Sequence, residues 1–118
     1  MAYVDGFLLS IPRKNLTAYR RMSRAAGKVW REHGALEYRE CVGDDLTTTL
    51  GMAFPRVAKT KAGESVVFSW IVYTSRADRD RVNKRVMKDP RIVKSMTGPM
   101  PFDVKRMAYG GFKVIVDM

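Results

Sequence analysis

The sequence predicts an α+β fold of the ferredoxin-like type, in which a β-α-β-β-α-β chain forms an antiparallel sheet with both helices on one face. Short apolar runs with the two-residue period of strands alternate with two segments that have the three-to-four-residue period of helices. At 118 residues the chain is long enough to build one core without disulfides or metals. We find no linker or low-complexity segment, so residues 1–118 are expected to form a single domain.

The first half of the chain predicts the first strand–helix–strand unit. Tyr3–Ile11 is rich in aromatic and aliphatic residues and is followed by Pro12, so a strand is expected to end there. Helical periodicity extends over Arg13–His33, and Gly34 is placed to end that helix. Leu36–Val42 predicts the second strand.

The second half repeats this order after a long connection. Residues 44–64 show no convincing periodicity, and a connection of this length is usually functional or mobile. Val66–Thr74 is the clearest strand, and a helix is expected at Ser75–Lys88, because Pro90 disfavours helical geometry at the preceding residue. Residues 89–100 have room for a short helical turn, and the last strand is expected at Arg106–Asp117.

Apolar residues on both faces of the strands predict a homodimer. Two helices cover one face of a four-stranded sheet, so the other face should be polar if it met water. Instead, the first strand carries Val4 and Leu8 opposite its other apolar face, and the third carries Phe68 and Trp70 opposite Ile71. The simplest cover for the second face is another copy of the chain, which leads to a dimeric α/β barrel.

The chain is strongly basic, with a net charge of +10 and a pI near 10.1. This balance favours anionic partners such as RNA, although a solvated helix face explains the same charges. The basic residues on the outer faces of the two helices are not interleaved with exposed aromatic residues, and no nucleic-acid motif is present. The candidate phosphate contacts on the two helices are Arg20, Arg24, Lys28, Arg81, Lys84, Arg85 and Lys88.

Several classes of site and location are disfavoured by the sequence. One histidine and one cysteine, Cys41, cannot supply the usual metal ligand sets, and no phosphate-binding loop, nucleophile elbow or dinucleotide fingerprint occurs. We therefore expect no metal and no cofactor. The lone cysteine is expected to be packed and inert, and it favours a reducing cytoplasm. The first residues do not predict a secretory signal, and no segment predicts a membrane span.

The candidate ligand-binding residues also have possible structural roles. His33, the only histidine, could act as a general base in a cleft between helix and sheet, or close the end of its helix. Glu40 on a covered strand face needs a partner, so an arginine in a site or in a structural ion pair is expected. Arg56 in the long connection could bind an anion. The aromatic candidates, for a pocket or for core packing, are Trp30, Phe54, Trp70 and Tyr109.

Long stretches of the chain resemble a known family. They include Tyr3–Phe7, Ala26–Cys41, Val67–Tyr73, Asp89–Arg91, Met100–Asp103 and Lys105–Phe112. These stretches resemble the YbaA-like family of uncharacterised small bacterial proteins. The resemblance implies a dimeric α/β-barrel fold and no established activity; some members carry a label that links them to signal-recognition-particle RNA. The wider superfamily includes cofactor-free monooxygenases, haem-degrading enzymes and small-ligand binders, a kinship of fold that does not assign a function.

Three functions are therefore consistent with the sequence. The first is a cytoplasmic dimer that binds a small molecule in a cleft near Trp30, His33 and the long connection, with or without cofactor-independent catalysis. The second is an RNA-associated protein that uses the outer helix faces. The third is an interaction module without chemistry of its own.

Overall fold

A computed structural model describes residues 1–118 and confirms the ferredoxin-like fold. The four strands form one antiparallel sheet in the order β2-β3-β1-β4. The strands are β1 (Tyr3–Pro12), β2 (Glu37–Val42), β3 (Glu64–Tyr73) and β4 (Ala108–Lys113), and the helices are α1 (Leu16–Glu32), α2 (Phe54–Val57), α3 (Arg76–Lys88) and α4 (Pro90–Ser95). None of these helices combines the length and the apolar character needed to cross a membrane.

The central pair of strands, β1 and β3, sets the two faces of the sheet. It pairs Tyr3 with Tyr73 and continues through ten residue pairs to Pro12 and Glu64. Since successive side chains point to opposite faces, the odd-numbered residues of β1 and β3 share the face that the helices cover. The even-numbered residues, together with Glu37, Arg39 and Cys41 of β2, share the other face, which we call the open face.

The helix-covered face holds two separate apolar clusters. One joins Val29 of α1 to Ile71, Tyr73, Val82, Val86 and Ile92. The other joins Tyr19 of α1 to Leu9, Ile11 and Val67. Phe7 packs against both clusters from the middle of β1. The core is thus divided, and the space between its two parts is the cavity described below.

The open face is apolar and largely uncovered in one chain. Phe68 of β3 is 45% exposed and Phe112, which follows Gly110–Gly111 in β4, is 61% exposed. One end of this face is covered by the connection between β2 and β3, where Ser10 Oγ donates to the carbonyl of Ala58 at 3.1 Å. Phe54 of α2 lies 6.0 Å from Phe68, measured between ring centroids.

Three predicted elements differ from the structure. Residues 44–64 contain the one-turn helix α2, which is too short to show a period in the sequence. The first helix begins at Leu16, because Arg13–Asn15 form a 3₁₀ turn. The last strand, β4, spans only Ala108–Lys113 and is shorter than expected. It begins late because Val104–Arg106 form a second 3₁₀ turn. It ends early because Lys113 pairs with Tyr3, the first residue of its partner strand β1.

The segment between α4 and β4 is tied back onto the rest of the fold. Asn15 Nδ2 donates to the carbonyl of Pro101 at 2.8 Å, and Phe102 meets Tyr19 edge to face at 5.7 Å between ring centroids. The guanidinium of Arg106 donates to both carboxylate oxygens of Glu64, at 2.8 and 2.5 Å. These hydrogen bonds lower the pKa of Glu64 to about 2. The segment is therefore held over the sheet, where it forms one wall of the cavity.

Candidate functional site

A cavity of about 530 Å³ lies between the helix-covered face of the sheet and α1, α3 and α4. Its lining is mostly apolar, and five of the chain's eight methionines contribute to it: Met22, Met87, Met96, Met100 and Met107. Methionine side chains are flexible and adapt to ligands of different shape. Pockets for drug-sized ligands measure about 300–1,000 Å³, so this cavity has the size of a ligand site.

Glu40 is held by hydroxyl groups at one end of the cavity. Tyr19 Oη donates to Glu40 Oε1 at 2.8 Å, while Ser23 Oγ and Tyr38 Oη donate to Glu40 Oε2 at 2.8 and 3.2 Å. Burial, followed by the charge of Glu40, raises the pKa of Tyr19 and of Tyr38, so both phenols stay protonated and donate. The prediction that Glu40 pairs with an arginine is wrong, because Glu40 forms no ion pair. Helix α1 presents hydroxyl groups to it instead.

A second polar network lies at the opposite side of the cavity. Asp5 is 1% exposed, and its Oδ1 accepts a hydrogen bond from Arg79 Nη1 at 2.9 Å. Burial raises the pKa of Asp5, and the charge of Arg79 opposes this rise. Asn83 completes the network, because its Oδ1 accepts from Trp30 Nε1 and from Tyr73 Oη, both at 3.0 Å. The Asp5 charge is thus compensated within the protein.

Ser69 provides an unused hydroxyl between these two networks. It stands on β3 beside Glu40 of β2 and Phe7 of β1, lines the cavity and is 5% exposed. Its Oγ takes part in none of the hydrogen bonds within the protein, and it is not among the fully buried atoms that lack a partner, so the oxygen itself is accessible. This hydroxyl is therefore available to a molecule in the cavity.

The structure brings three of the predicted ligand residues to the cavity. Glu40, Trp30 and Tyr109 line it, and the ring of Tyr109 stacks on Phe7 with 4.8 Å between centroids. Trp70 is also next to the cavity because it belongs to β3, but its side chain does not enter it. Its indole lies on the open face and donates from Nε1 to Glu37 Oε1 at 3.1 Å.

His33, Phe54 and Arg56 do not line the cavity. Of the cleft predicted near Trp30, His33 and the long connection, only the part at Trp30 therefore coincides with the cavity. His33 Nε2 lies 2.9 Å from Asp89 Oδ2, at the end of α1, where the histidine closes its helix. Phe54 and Arg56 belong to α2, which packs at the open face because the connection from β2 to β3 crosses that side of the sheet.

The basic residues of the two helices are not equivalent. Arg20, Arg24 and Lys28 of α1 line a groove of about 1,000 Å³ between α1 and the edge strand β2, and none of the three forms an ion pair with a carboxylate. None of the α3 candidates lines this groove, and Arg81 is paired with Asp78. No three or more His, Cys, Asp or Glu side chains are placed to hold a metal ion.

Four of the polar cavity residues that the sequence did not point to are Asp5, Ser23, Ser69 and Asn83. Two of them carried a usable signal. Asp5 and Ser69 are polar residues within strongly apolar strands, on the same faces as Phe7 and Ile71. A polar residue at such a position costs free energy unless something satisfies it, so it indicates a site or a network. Ser23 and Asn83 have no comparable signal, since polar residues are common on amphipathic helices.

Residues 2–104 match the family described as "Protein of unknown function (DUF1428)". The uncharacterised protein YbaA of Escherichia coli K12 is 44% identical over 117 residues, which cover 99% of each chain. Two solved structures share the fold at low identity. A mutant of SnoaB, a cofactor-independent oxygenase of Streptomyces nogalater, is 12% identical with a TM-score of 0.57, covering 99% of this chain and 96% of its own. A dimeric ferredoxin-like protein from an uncultured marine organism is 11% identical with a TM-score of 0.56, covering 100% of each chain.

Replacing Asn83 with alanine tests the network around Asp5. The change removes the acceptor of Trp30 Nε1 and Tyr73 Oη, and Tyr73 is completely buried. We expect the free energy of unfolding to fall by roughly 2–4 kcal/mol, since one fully buried and one partly buried donor lose their partner. Urea denaturation followed by circular dichroism measures it. The matched control, Lys84→Ala, alters the next and exposed residue and should change the value by about 0.5 kcal/mol or less.

Proposed function

We propose that this chain, which belongs to the DUF1428 family of proteins of unknown function, is a homodimer that binds a small, largely apolar molecule in the cavity between sheet and helices. One observation carries the proposal: an apolar cavity of about 530 Å³ divides the core and exposes a carboxylate, Glu40, that no cation neutralises. The cavity opens to solvent beside Met96, Met100 and Tyr109, which are 62%, 41% and 52% exposed, so part of its apolar lining meets water. A ligand that fills the cavity would cover this apolar surface, which favours binding.

The same geometry supports a cofactor-independent reaction as an extension of binding. Such chemistry requires a group that accepts a proton from the bound molecule. The cavity contains two carboxylates that could do so, Asp5 and Glu40, and Asp5 is already bound to Arg79. Glu40 would therefore accept the proton, with Tyr19 and Tyr38 holding its position. SnoaB, which shares the fold, is described as a cofactor-independent oxygenase.

Binding is tested with N-phenyl-1-naphthylamine, an uncharged probe that fluoresces strongly in apolar surroundings. We expect saturable binding of one probe per protomer. Ala26→Phe places an aromatic ring in the cavity and should weaken binding about tenfold or more, because Ala26 lines the cavity. The matched control is Ala25→Phe, an exposed neighbour outside the lining, which should bind as the wild-type protein does. A wild-type protein without saturable probe fluorescence contradicts the proposal.

The dimer is supported by the apolar open face. Phe68 and Phe112 are 45% and 61% exposed there, and Val4, Leu8 and Val72 continue the apolar surface across three strands. Exposed apolar patches of this kind on a folded chain mark contact surfaces, and a patch that pairs with its own copy gives a two-fold dimer.

Phe112→Asp places a carboxylate on the open face of each protomer. We expect sedimentation velocity at micromolar concentration to show a dimer for the wild-type protein and a monomer for this variant, since an unpaired charge would have to be buried on association. Val93→Asp on α4 is the control, because Val93 is 49% exposed but lies on the helix side. A monomeric wild-type protein, or equal effects of the two variants, argues against the open face as the interface.

RNA binding is a second candidate function, and the groove between α1 and β2 supports it. Arg20, Arg24 and Lys28 recur at four-residue spacing along α1 and line this groove without carboxylate partners. A row of such cations can follow a phosphate backbone, and binding of that kind weakens steeply with salt. Because only the α1 cations line the groove, the RNA contacts predicted for both helices are now proposed for α1 alone.

Charge reversal separates the two helices. Changing Arg20, Arg24 and Lys28 to Glu lowers the net charge from +10 by six, to +4, and changing Arg81, Lys84 and Lys88 to Glu lowers it equally. For an RNA hairpin in electrophoretic mobility shifts, we expect wild-type affinity to fall about tenfold or more between low and physiological salt. The α1 variant should lose most of the affinity and the α3 variant much less. Absent binding at low salt, or equal losses in both variants, removes this candidate.

A further inference from the structure

We infer that the molecule bound in the cavity is uncharged and carries a hydrogen-bond donor, a hydroxyl or N–H group, which meets Glu40, and an acceptor, which meets Ser69. This inference rests on the proposed function, since it names the chemical class of the ligand of the same cavity.

The donor requirement follows from the unfilled bonding capacity of Glu40. A carboxylate has about four lone-pair positions for hydrogen bonds. Ser23 and Tyr38 donate to Oε2, whereas Oε1 receives a single bond, from Tyr19. One position on Oε1 is therefore left for a donor from the ligand. A hydrogen bond to a charged group is roughly twice as strong as a neutral one, so this contact discriminates well.

The charge of the ligand follows from what surrounds Glu40. Arg39, the one cation among the lining residues, pairs with Glu37 on the open face, and Arg79 compensates the charge of Asp5. Glu40 therefore leaves the cavity side of the lining negative, and an anionic ligand is repelled. A cationic ligand is disfavoured for two reasons. Three hydroxyl donors already stabilise the carboxylate charge, and Arg20, Arg24 and Lys28 line the groove on the other side of Glu40.

The acceptor requirement follows from Ser69. Its hydroxyl is in a lining position, is 5% exposed and has no partner in the protein. It stands directly across from Glu40 in the β2–β3 pairing, and side chains at such paired positions have Cβ atoms about 5 Å apart. A single hydroxyl of the ligand can therefore donate to Glu40 and accept from Ser69. The apolar remainder of such a molecule would lie against Phe7 and the methionines.

Three naphthalenes of nearly equal size test this class in the wild-type protein. 2-Naphthol is uncharged at neutral pH and has a donor, 2-methoxynaphthalene keeps the acceptor without the donor, and 2-naphthoate is an anion. By displacement of N-phenyl-1-naphthylamine, we expect 2-naphthol to bind about tenfold or more tightly than either of the others. Equal or tighter binding of 2-naphthoate or 2-methoxynaphthalene overturns the inference. This ranking needs no variant to fold.

Variants then assign the preference to Glu40. In Glu40→Gln the preference for 2-naphthol over 2-methoxynaphthalene should fall to about threefold or less, because the amide is uncharged and a weaker acceptor. Glu37→Gln, on the open face of the same strand, should keep the wild-type preference. If it is the Glu37 variant that loses the preference, the inference is wrong. If no naphthalene and no N-phenyl-1-naphthylamine enters the cavity, the proposed function itself fails; if all three naphthalenes bind equally, only the inference does.

Discussion

The pairing of β1 with β3 is the constraint on which the rest of the structure depends. Its ten residue pairs fix which side chains meet the helices and which meet the open face. A shift of β1 by one residue relative to β3 would move Phe7 to the open face, beside Phe68 and Trp70. Both faces are apolar, so hydrophobicity alone specifies this register weakly. Asp5 adds specificity, because its buried carboxylate has its partners, Arg79 and Asn83, only on the helix side.

The polar groups of the cavity are satisfied to different degrees, and that difference separates structural from functional roles. In the Asp5 network the carboxylate accepts from Arg79 and Asn83, and Asn83 accepts from Trp30 and Tyr73. Only Arg79 Nε, 2.9 Å from Asp80 Oδ1, makes no hydrogen bond there. Glu40 and Ser69 keep unused capacity, and both line the space between the two apolar clusters. A buried carboxylate whose charge is paired inside the protein rigidifies a core, whereas unused bonding capacity on Glu40 and Ser69 can be filled by a bound molecule.

Sequence reasoning found the architecture and only part of the cavity. Trp30, Glu40 and Tyr109 were identified because each is an unusual residue on a predicted helix or strand face. His33 was given too much weight for being the only histidine, and it pairs with Asp89, 56 positions away in the chain. A contact at that separation is set by how α1 and α4 pack, which periodicity does not report. The exposure of Cys41, expected to be packed, has the same origin, since the neighbours of an edge strand depend on sheet order.

The sequence by itself determined the order of the elements and the two-sided apolar character of the strands, because periodicity and turn residues act over a few positions of the chain. It also determined the excess of positive charge. Tertiary structure decided which polar side chains meet: Glu40 with hydroxyls in place of an arginine, and Asp5 with α3. It likewise decided that the connection between β2 and β3 crosses the open face. Such contacts join residues far apart in sequence, and their geometry follows from packing in three dimensions.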